Sequence, residues 1–513
     1  MHKILLSAFM LIACLTGCAV NPVTGENQLS LVSEAQELEI GRKNYAPLRQ
    51  AQGGDYVVDK KLTAYVSEVG QKLAAVSDRR LPYEFKVLNS SVPNAWALPG
   101  GKISLNRGLL VELESEAELA AVLGHEITHA AAKHTVSSMS RGMLIQGAVL
   151  ATVVGTQDKE YAQLAALGAG IGAQLVTQKY GRDAERESDF YGMKYMSKAG
   201  YDPQGAVDLQ RTFVRLSESK NQDWLSGLFA SHPPSRERVE NNIQTLTILP
   251  GGGERGEQRY HSMTAHLKRT QPAYEAYDEG RKALEEDDLS KALRLAKKAI
   301  DLEPKEGHFH ALLGDIEEKK EEYGKAKRHY SKAVRLNNGF FYYYLKRGQV
   351  NDRLNVSTAA KRDLEKSIQL LPTANAYTLL GNIAKREGDI TSAKSYYSKA
   401  ASNKTKQGKL AYRSLMEIDL QDNPQKYIKI RTGLDNNGRL KAELTNPTPG
   451  DVKNVVVTVR YRDSSGVIRS VKRAYRGELM AGKKRVVDLG FSSLTQSQLV
   501  NINAVVTGAN LSK

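Results

Sequence analysis

Two histidines four residues apart, with a glutamate beside the first, are the residues of this chain best able to do chemistry: His125-Glu126-Ile127-Thr128-His129. On a helix, positions i and i+4 lie one above the other, so both imidazoles can reach one metal ion. The intervening carboxylate then points near the open coordination position, where a water sits. The segment reads as a helix. Ser115-Glu116-Ala117-Glu118 has the form of a capping box, and Leu119, Val122, Leu123, Ile127 and several alanines carry the periodicity to about Lys133. Two histidines and a glutamate inside such an Ala/Leu-rich helix are costly to bury without a metal or partners.

A third ligand has to come from elsewhere. Ala132 and Thr135 stand where a metzincin-type site would carry glycine and histidine. His134 lies about 140° around a continuous helix from His129, at about 100° per residue, so it is expected to face away from the metal as a capping or surface residue. The better source is Tyr180-Gly181-Arg182-Asp183-Ala184-Glu185-Arg186-Glu187-Ser188-Asp189. Glu185 and Asp189 share a helical face. One carboxylate to bind metal and a second to orient a ligating imidazole is what a His₂Glu zinc site needs. Glu187 points elsewhere on that helix.

His125–His129, the Glu185/Asp189 pair and Asn94-Ala95-Trp96-Ala97-Leu98-Pro99-Gly100-Gly101 together resemble the HtpX/BepA-like zinc metalloproteases, gluzincin-type enzymes, over roughly residues 19–245. The resemblance implies one zinc per chain, with His125, His129 and Glu185 as ligands. Glu126 becomes the general base and Asp189 the residue that orients a ligand. Asn94, Ala95, Trp96, Ala97 and Leu98 become a strand that binds an extended protein or peptide substrate. Ser231-His232-Pro233-Pro234-Ser235 also resembles a motif of that family. It implies that His232 approaches the zinc, as a restraining fourth ligand or as a transition-state donor. Arg238 is expected to stabilise the oxyanion or a nearby carboxylate. The chemistry implied is peptide hydrolysis by zinc-activated water, which needs no nucleophilic serine or cysteine.

The N-terminus points to the cell envelope. Lys3 precedes an apolar run from Ile4 to Leu15, too short to span a bilayer. It ends at Leu15-Thr16-Gly17-Cys18, which resembles a bacterial lipobox. Residues 1–18 are therefore expected to be a lipoprotein signal peptide whose Cys18 carries the lipid. Ala19 after it implies sorting to the outer membrane, with the protein facing the periplasm. The only cysteines are Cys14 and Cys18, so no disulfide is expected in the mature chain. Met143–Gly155 and Ala162–Val176 are apolar but short and broken by glutamines. They read as a helical hairpin turning at Thr156–Glu160.

The remaining chain is modular. The protease domain is expected over 19–250, with a linker over 251–272 marked by Gly251-Gly252-Gly253 and the basic run Lys268-Arg269-Thr270-Gln271-Pro272. Gly280, Gly314, Gly348 and Gly381 then recur at 34, 34 and 33 residues, and Ala292, Ala326, Ala360 and Ala393 recur likewise. This period resembles the tetratricopeptide repeat, an α-solenoid expected over 273–420 that binds substrate or outer-membrane assembly machinery. Phe340 to Tyr344 open one repeat, mostly as packing residues. From about Tyr427 the period changes to two, with Val455, Val457 and Val459 alternating with polar partners. This predicts an immunoglobulin/fibronectin-like β-sandwich over 427–513. The formal charge of +16 is spread among acidic neighbours, so no nucleic-acid partner is expected.

Overall fold

The computed structural model describes residues 18–151, 180–218, 232–402, 405–463 and 465–512. Residues 1–17 and 152–179 lie outside this set, and with them the signal-peptide reading and most of the helical hairpin expected at Met143–Val176. Among the described residues no helix is long and apolar enough to cross a membrane. The chain forms two compact units, 1–343 and 344–513.

The first unit opens with a small hairpin, β1 (Cys18–Val20) and β2 (Asn27–Leu29), paired antiparallel. Helices α1 (Glu34–Ala51) and α2 (Lys60–Ala74) follow. A three-stranded sheet comes next, built from β3 (Glu84–Leu88), β4 (Ala95–Leu98) and β5 (Lys102–Asn106). Its order is β3-β5-β4, with β3 parallel and β4 antiparallel to β5, so β4 is an edge strand. After the short α3 (Arg107–Leu110) come α4 (Glu116–Ala131) and α5 (His134–Ala151), then α6 (Arg182–Lys198), α7 (Gln204–Glu218) and α8 (Arg236–Leu246).

Helix α4 is the centre of this unit, and all sixteen of its residues are buried. Leu119, Leu123 and Ile127 pack with Leu62, Val66 and Leu73 of α2, Ile103 and Leu105 of β5, and Met193 and Met196 of α6. Ser115 caps the helix by accepting from the Glu118 amide at 3.1 Å. The reciprocal half of the capping box is displaced by one residue, because the Glu118 carboxylate accepts from the Glu114 amide at 3.2 Å. Glu116 is fully buried, yet its carboxylate accepts from the hydroxyls of Tyr65 at 2.9 Å and Tyr201 at 2.8 Å and meets Arg259 at 3.1 Å. That satisfies a charge which would otherwise destabilise the core.

The expected linker is not one. Residues Glu257–Glu285 form a single 29-residue helix, α9, with Pro272 inside it. Tyr260 and Leu267 are fully buried on the protease core, and the Tyr260 hydroxyl donates to the Leu110 carbonyl at 2.5 Å. Lys268, read as part of a basic spacer, donates to the Leu113 carbonyl at 3.2 Å. Glycine, charge and proline in one stretch signal a break only when nothing covers the apolar residues between them. Here Tyr260, Leu267 and Tyr274 recur at helical spacing and are covered. The first repeat hairpins therefore belong to the same compact unit as the protease domain: α10 (Leu289–Leu302), α11 (Gly307–Lys319) and α12 (Tyr323–Leu336). A Cβ on Gly280 would lie 3.1 Å from Leu312, and one on Gly314 would lie 2.5 Å from the Tyr330 ring. These small residues are where the repeat helices touch.

The division between the units falls within α13 (Phe341–Arg353). The second unit continues with α14 (Ser357–Leu370), α15 (Ala374–Arg386), α16 (Ile390–Ala401) and α17 (Lys406–Asp419). Ala360, Ser367, Ala393 and Ala400 are all fully buried there, as the repeat requires. After the short α18 (Pro424–Tyr427) come two antiparallel three-stranded sheets. One has the order β10-β7-β6, from β6 (Lys429–Leu434), β7 (Leu440–Thr445) and β10 (Lys484–Asp488). The other has the order β11-β8-β9, from β8 (Val452–Arg462), β9 (Ile468–Leu479) and β11 (Ile502–Leu511). Val455, Val457 and Val459 share one core with Leu440, Ala442 and Leu444 of the opposite sheet.

The crossing of α4 and α6 yields a prediction. A Cβ on Gly192 would lie 2.9 Å from the His125 amide nitrogen, with backbone on both sides. Gly192→Ala should destabilise the first unit by about 1–3 kcal/mol, the usual cost of overpacking. Urea unfolding followed by circular dichroism measures this, and an unchanged midpoint would mean that the two helices have room to spare.

Candidate metal centre

Four side chains from three segments converge beside α4: His125, His129, Glu185 and His232. One ligand atom of each lies within 4.8 Å of all the others, and all four residues are buried. His125 Nε2 is 3.0 Å from His129 Nε2 and 3.3 Å from His232 Nδ1. Glu185 Oε1 is 3.4 Å from His129 Nε2 and 2.9 Å from His232 Nδ1.

These separations fit a bound metal. Bonds of about 2.0–2.1 Å in a tetrahedron put ligand atoms about 3.4 Å apart. The tautomers fit as well. Asp189 Oδ1 lies 2.9 Å from His125 Nδ1 and fixes the ring proton there. The Nε2 lone pair of His125 therefore faces that of His129, an arrangement that a cation between them relieves. His125, His129, Glu185 and His232 are thus the residues that would hold a metal.

The carboxylate of Asp189 is itself clamped. Arg238 donates to its two oxygens at 2.7 and 2.6 Å, and Arg238 Nη1 lies 3.0 Å from Glu185 Oε2. Of its two expected roles, the one at the carboxylates is thus in place, and Arg238 also lines the small cavity beside His125, Glu126 and His232. It is oriented by the capped start of α8, where Ser235 accepts from the Arg238 amide at 3.2 Å.

Glu126 projects to the other side of the cluster. Its Oε1 is 3.6 Å from His232 Nε2, and its Oε2 is buried without a hydrogen-bond partner. Burial raises the Glu126 carboxyl above its ordinary range, against the opposing pull of His232 and His125. Glu185 goes the other way: burial raises it, but His232, His129 and His125 together hold it well below the usual carboxylate range. Burial likewise favours neutral His129, while Asp189 stays ionised because Arg238 outweighs its burial.

The edge strand β4 runs beside this cluster, but only part of it lines the site. Ala95 lines the same small cavity as His125, Glu126 and His232, about 30 Å³, which is room for a water. Trp96 and Leu98 alternate to the opposite face of the sheet, as period-two geometry demands. There Trp96 packs against Tyr45 with ring centroids 5.9 Å apart and donates to Gln52 at 3.1 Å. Their side chains are therefore core, so any substrate contact of these two residues is through their backbone. Ala97 is buried in the main core, and the Asn94 carbonyl accepts from the Asn106 amide at 2.8 Å.

His134 departs most from expectation. It is 7% exposed, and its Nδ1 lies 2.9 Å from the Nδ1 of His129. The 140° separation assumed one continuous helix. Instead Lys133 adopts φ +59°, α4 ends, and His134 begins α5, folded back toward the metal ligands. Glu187 lies 3.4 Å from His134 Nε2, so it too belongs to this neighbourhood. Tyr180 stacks on His129 at 4.0 Å and shares a hydrogen bond with Thr135 at 2.8 Å. No spacing rule points to these contacts.

The helical domain that carries this cluster is similar to known metallopeptidases. Residues 60–245 match the model of peptidase family M48, and residues 308–340 and 374–407 match the tetratricopeptide repeat. The first compact unit thus contains a stretch similar to the M48 peptidases, with stretches similar to tetratricopeptide repeats after it. It is 28% identical over 258 residues to metalloprotease YcaL of Escherichia coli, covering 47% of this chain and 95% of that one. It is 30% identical over 189 residues to the beta-barrel assembly-enhancing protease of Yersinia pestis, covering 36% and 38%. It is 32% identical over 187 residues to the mitochondrial metalloendopeptidase OMA1 of Schizosaccharomyces pombe, covering 34% and 51%. The matched stretch thus spans about half or less of these last two relatives.

The orienting role of Asp189 is measurable. Asp189→Ala should weaken divalent-metal affinity by about 10–100-fold, as loss of such a partner generally does. Competition against a chromophoric chelator reads this directly, and an undiminished affinity would show that His125 needs no orienting carboxylate.

Proposed function

We propose that this protein is a zinc-dependent endopeptidase of the bacterial cell envelope, anchored by lipid on Cys18 at the periplasmic face of the outer membrane. The observation that carries the reading is the convergence of four buried ligand atoms beside a glutamate oxygen with no protein partner. Zinc held there supplies the Lewis acidity that activates water and polarises a peptide carbonyl.

The chain's own residues do the rest. Glu126 takes the proton of the attacking water and passes it to the leaving amine. A carboxyl raised by burial suits both halves of that transfer. Asp189 holds the His125 ring, and Arg238 keeps Asp189 ionised. The free edge of β4 can add an extended substrate strand, which favours unfolded chains over any one sequence. The repeats recruit substrate or assembly machinery. The name of the Yersinia relative, a beta-barrel assembly-enhancing protease, supports an envelope role, and we take misfolded or stalled envelope proteins as the substrates. The strand orders β10-β7-β6 and β11-β8-β9 around one core support reading the C-terminal sheets as an immunoglobulin/fibronectin-type docking module.

A second reading is favoured by one observation. His232 Nδ1 stands among the ligand atoms, where the attacking water belongs. As a fourth ligand it would latch the enzyme, and a latched enzyme that seldom cleaves would act mainly as an assembly chaperone.

Both readings meet in one experiment on the chain from Ala19 onward. The parent and Glu126→Gln should each bind one zinc, and only the parent should cleave an unfolded protein such as reduced casein. Cleavage by Glu126→Gln at the parental rate would remove Glu126 from the mechanism. His232→Ala should cleave about tenfold faster or more if the resting chain is mostly latched. An unchanged or slower rate rejects the latch.

A further inference from the structure

The two ligand histidines are supported differently. His125 leans directly on a carboxylate, whereas His129 leans on another imidazole. With the His129 Nε2 lone pair turned toward the ligand cluster, its Nδ1 carries the proton and donates to His134 Nδ1, 2.9 Å away. His134 Nδ1 then accepts, which leaves Nε2 as the donor nitrogen of that ring. That atom is buried without a hydrogen-bond partner, and Glu187 Oε1 lies 3.4 Å from it. The same Glu187 oxygen accepts from Asn21 Nδ2 at 2.8 Å.

Asn21 is not free to choose this partner. It sits in the turn of the N-terminal hairpin and is 5% exposed. Its side-chain oxygen accepts from the Val23 amide at 2.9 Å and the Thr24 amide at 3.4 Å, an Asx-turn that leaves only the amide group for Glu187. The hairpin holds the same corner in two further places. Gln28 donates to the Ala132 carbonyl at the end of α4 at 3.1 Å, and the Leu31 amide donates to Ser140 of α5 at 2.9 Å. The hairpin thus braces the α4–α5 turn that carries His134 back to His129.

We infer that Asn21, Glu187 and His134 form a chain of positioning residues that makes the N-terminal hairpin a determinant of metal affinity at His129. Asn21 lies three residues after Cys18, so the N-terminal hairpin and the metal centre are joined by two hydrogen bonds and the 3.4 Å approach of Glu187 to His134. The inference rests on the metal-site reading above.

The test uses the full chain and zinc or cobalt alone, with no substrate. Asn21→Ala and His134→Ala should each weaken zinc affinity, measured by chelator competition, by about tenfold or more. Each should also shift the visible absorption of the cobalt-loaded protein, which a merely structural loss leaves alone. Because the residues act in series, the double variant should lose no more than the worse single variant. Glu26→Gln, on the exposed side of the same hairpin, should keep parental affinity. Parental affinity and cobalt spectrum in Asn21→Ala, with the parent binding metal, overturns the chain. Additive losses in the double variant overturn it as well. No metal binding by the parent would instead overturn the metal-site reading itself.

Discussion

The contact on which the rest depends is the glycine-on-glycine crossing of α4 and α6. Side chains normally keep helix axes about 8–10 Å apart. Here a Cβ on Gly124 would lie 3.0 Å from the Gly192 carbonyl, and one on Gly192 would lie 2.9 Å from the His125 nitrogen. The two backbones therefore touch one residue away from a ligand. That approach lets the short Glu185 and Asp189 side chains reach imidazoles on a different helix. It also explains why both ligand-bearing faces are inside the domain: helices this close leave no room for solvent between them.

Closeness creates an electrostatic problem that the neighbouring elements solve. Glu126, Glu185 and Asp189 are all at most 9% exposed and lie within one site. Arg238 answers two of the three carboxylates, and α8 places it there through its own N-cap. A buried ionic group of this kind adds little net stability. Removing one member, however, leaves an uncompensated charge worth about 3–5 kcal/mol. The arrangement therefore tolerates change poorly at Arg238. Glu116 follows the same logic farther along α4, where two tyrosines and Arg259 surround it. In that way α9, a helix that the repeats share, helps to hold the metal helix in place.

Much of this was legible in the chain itself, for definite reasons. The His125/His129 pair and the Glu185/Asp189 pair each lie within one helix, so spacing alone orients them. The repeats announced themselves because Gly280, Gly314, Gly348 and Gly381 occupy equivalent helix crossings. What escaped depended on how one segment ends and the next begins. A single residue, Lys133 at φ +59°, turned His134 from an outward position to an inward one. Residues 251–272 looked like a spacer because Gly, Lys, Arg and Pro dominate composition, while their buried members, Tyr260 and Leu267, are few. Asn94 to Leu98 could be placed on an edge strand, but Trp96 and Leu98 face away from the site because the strand's two faces pack against different cores.

The unequal support of the two histidines follows from where the helices end. His125 lies within α4, facing the middle of α6, where Asp189 is one turn from Glu185 and within reach. His129 lies near the last turn of α4, where Glu185 of α6 faces its Nε2 and Glu187 is reached from its Nδ1 only through His134. An imidazole is long enough to fill that gap and, unlike an ionised carboxylate, can accept at one ring nitrogen while donating from the other. His134, delivered by the turn after α4, is such a spacer. A helix terminus is also the least rigid part of a helix, with unpaired carbonyls that need outside donors. The N-terminal hairpin supplies one of those donors through Gln28, and it fixes the far end of the imidazole path through Asn21. One short hairpin therefore satisfies both the backbone and the side-chain requirements of the end of the metal helix, which is the part least able to satisfy them itself.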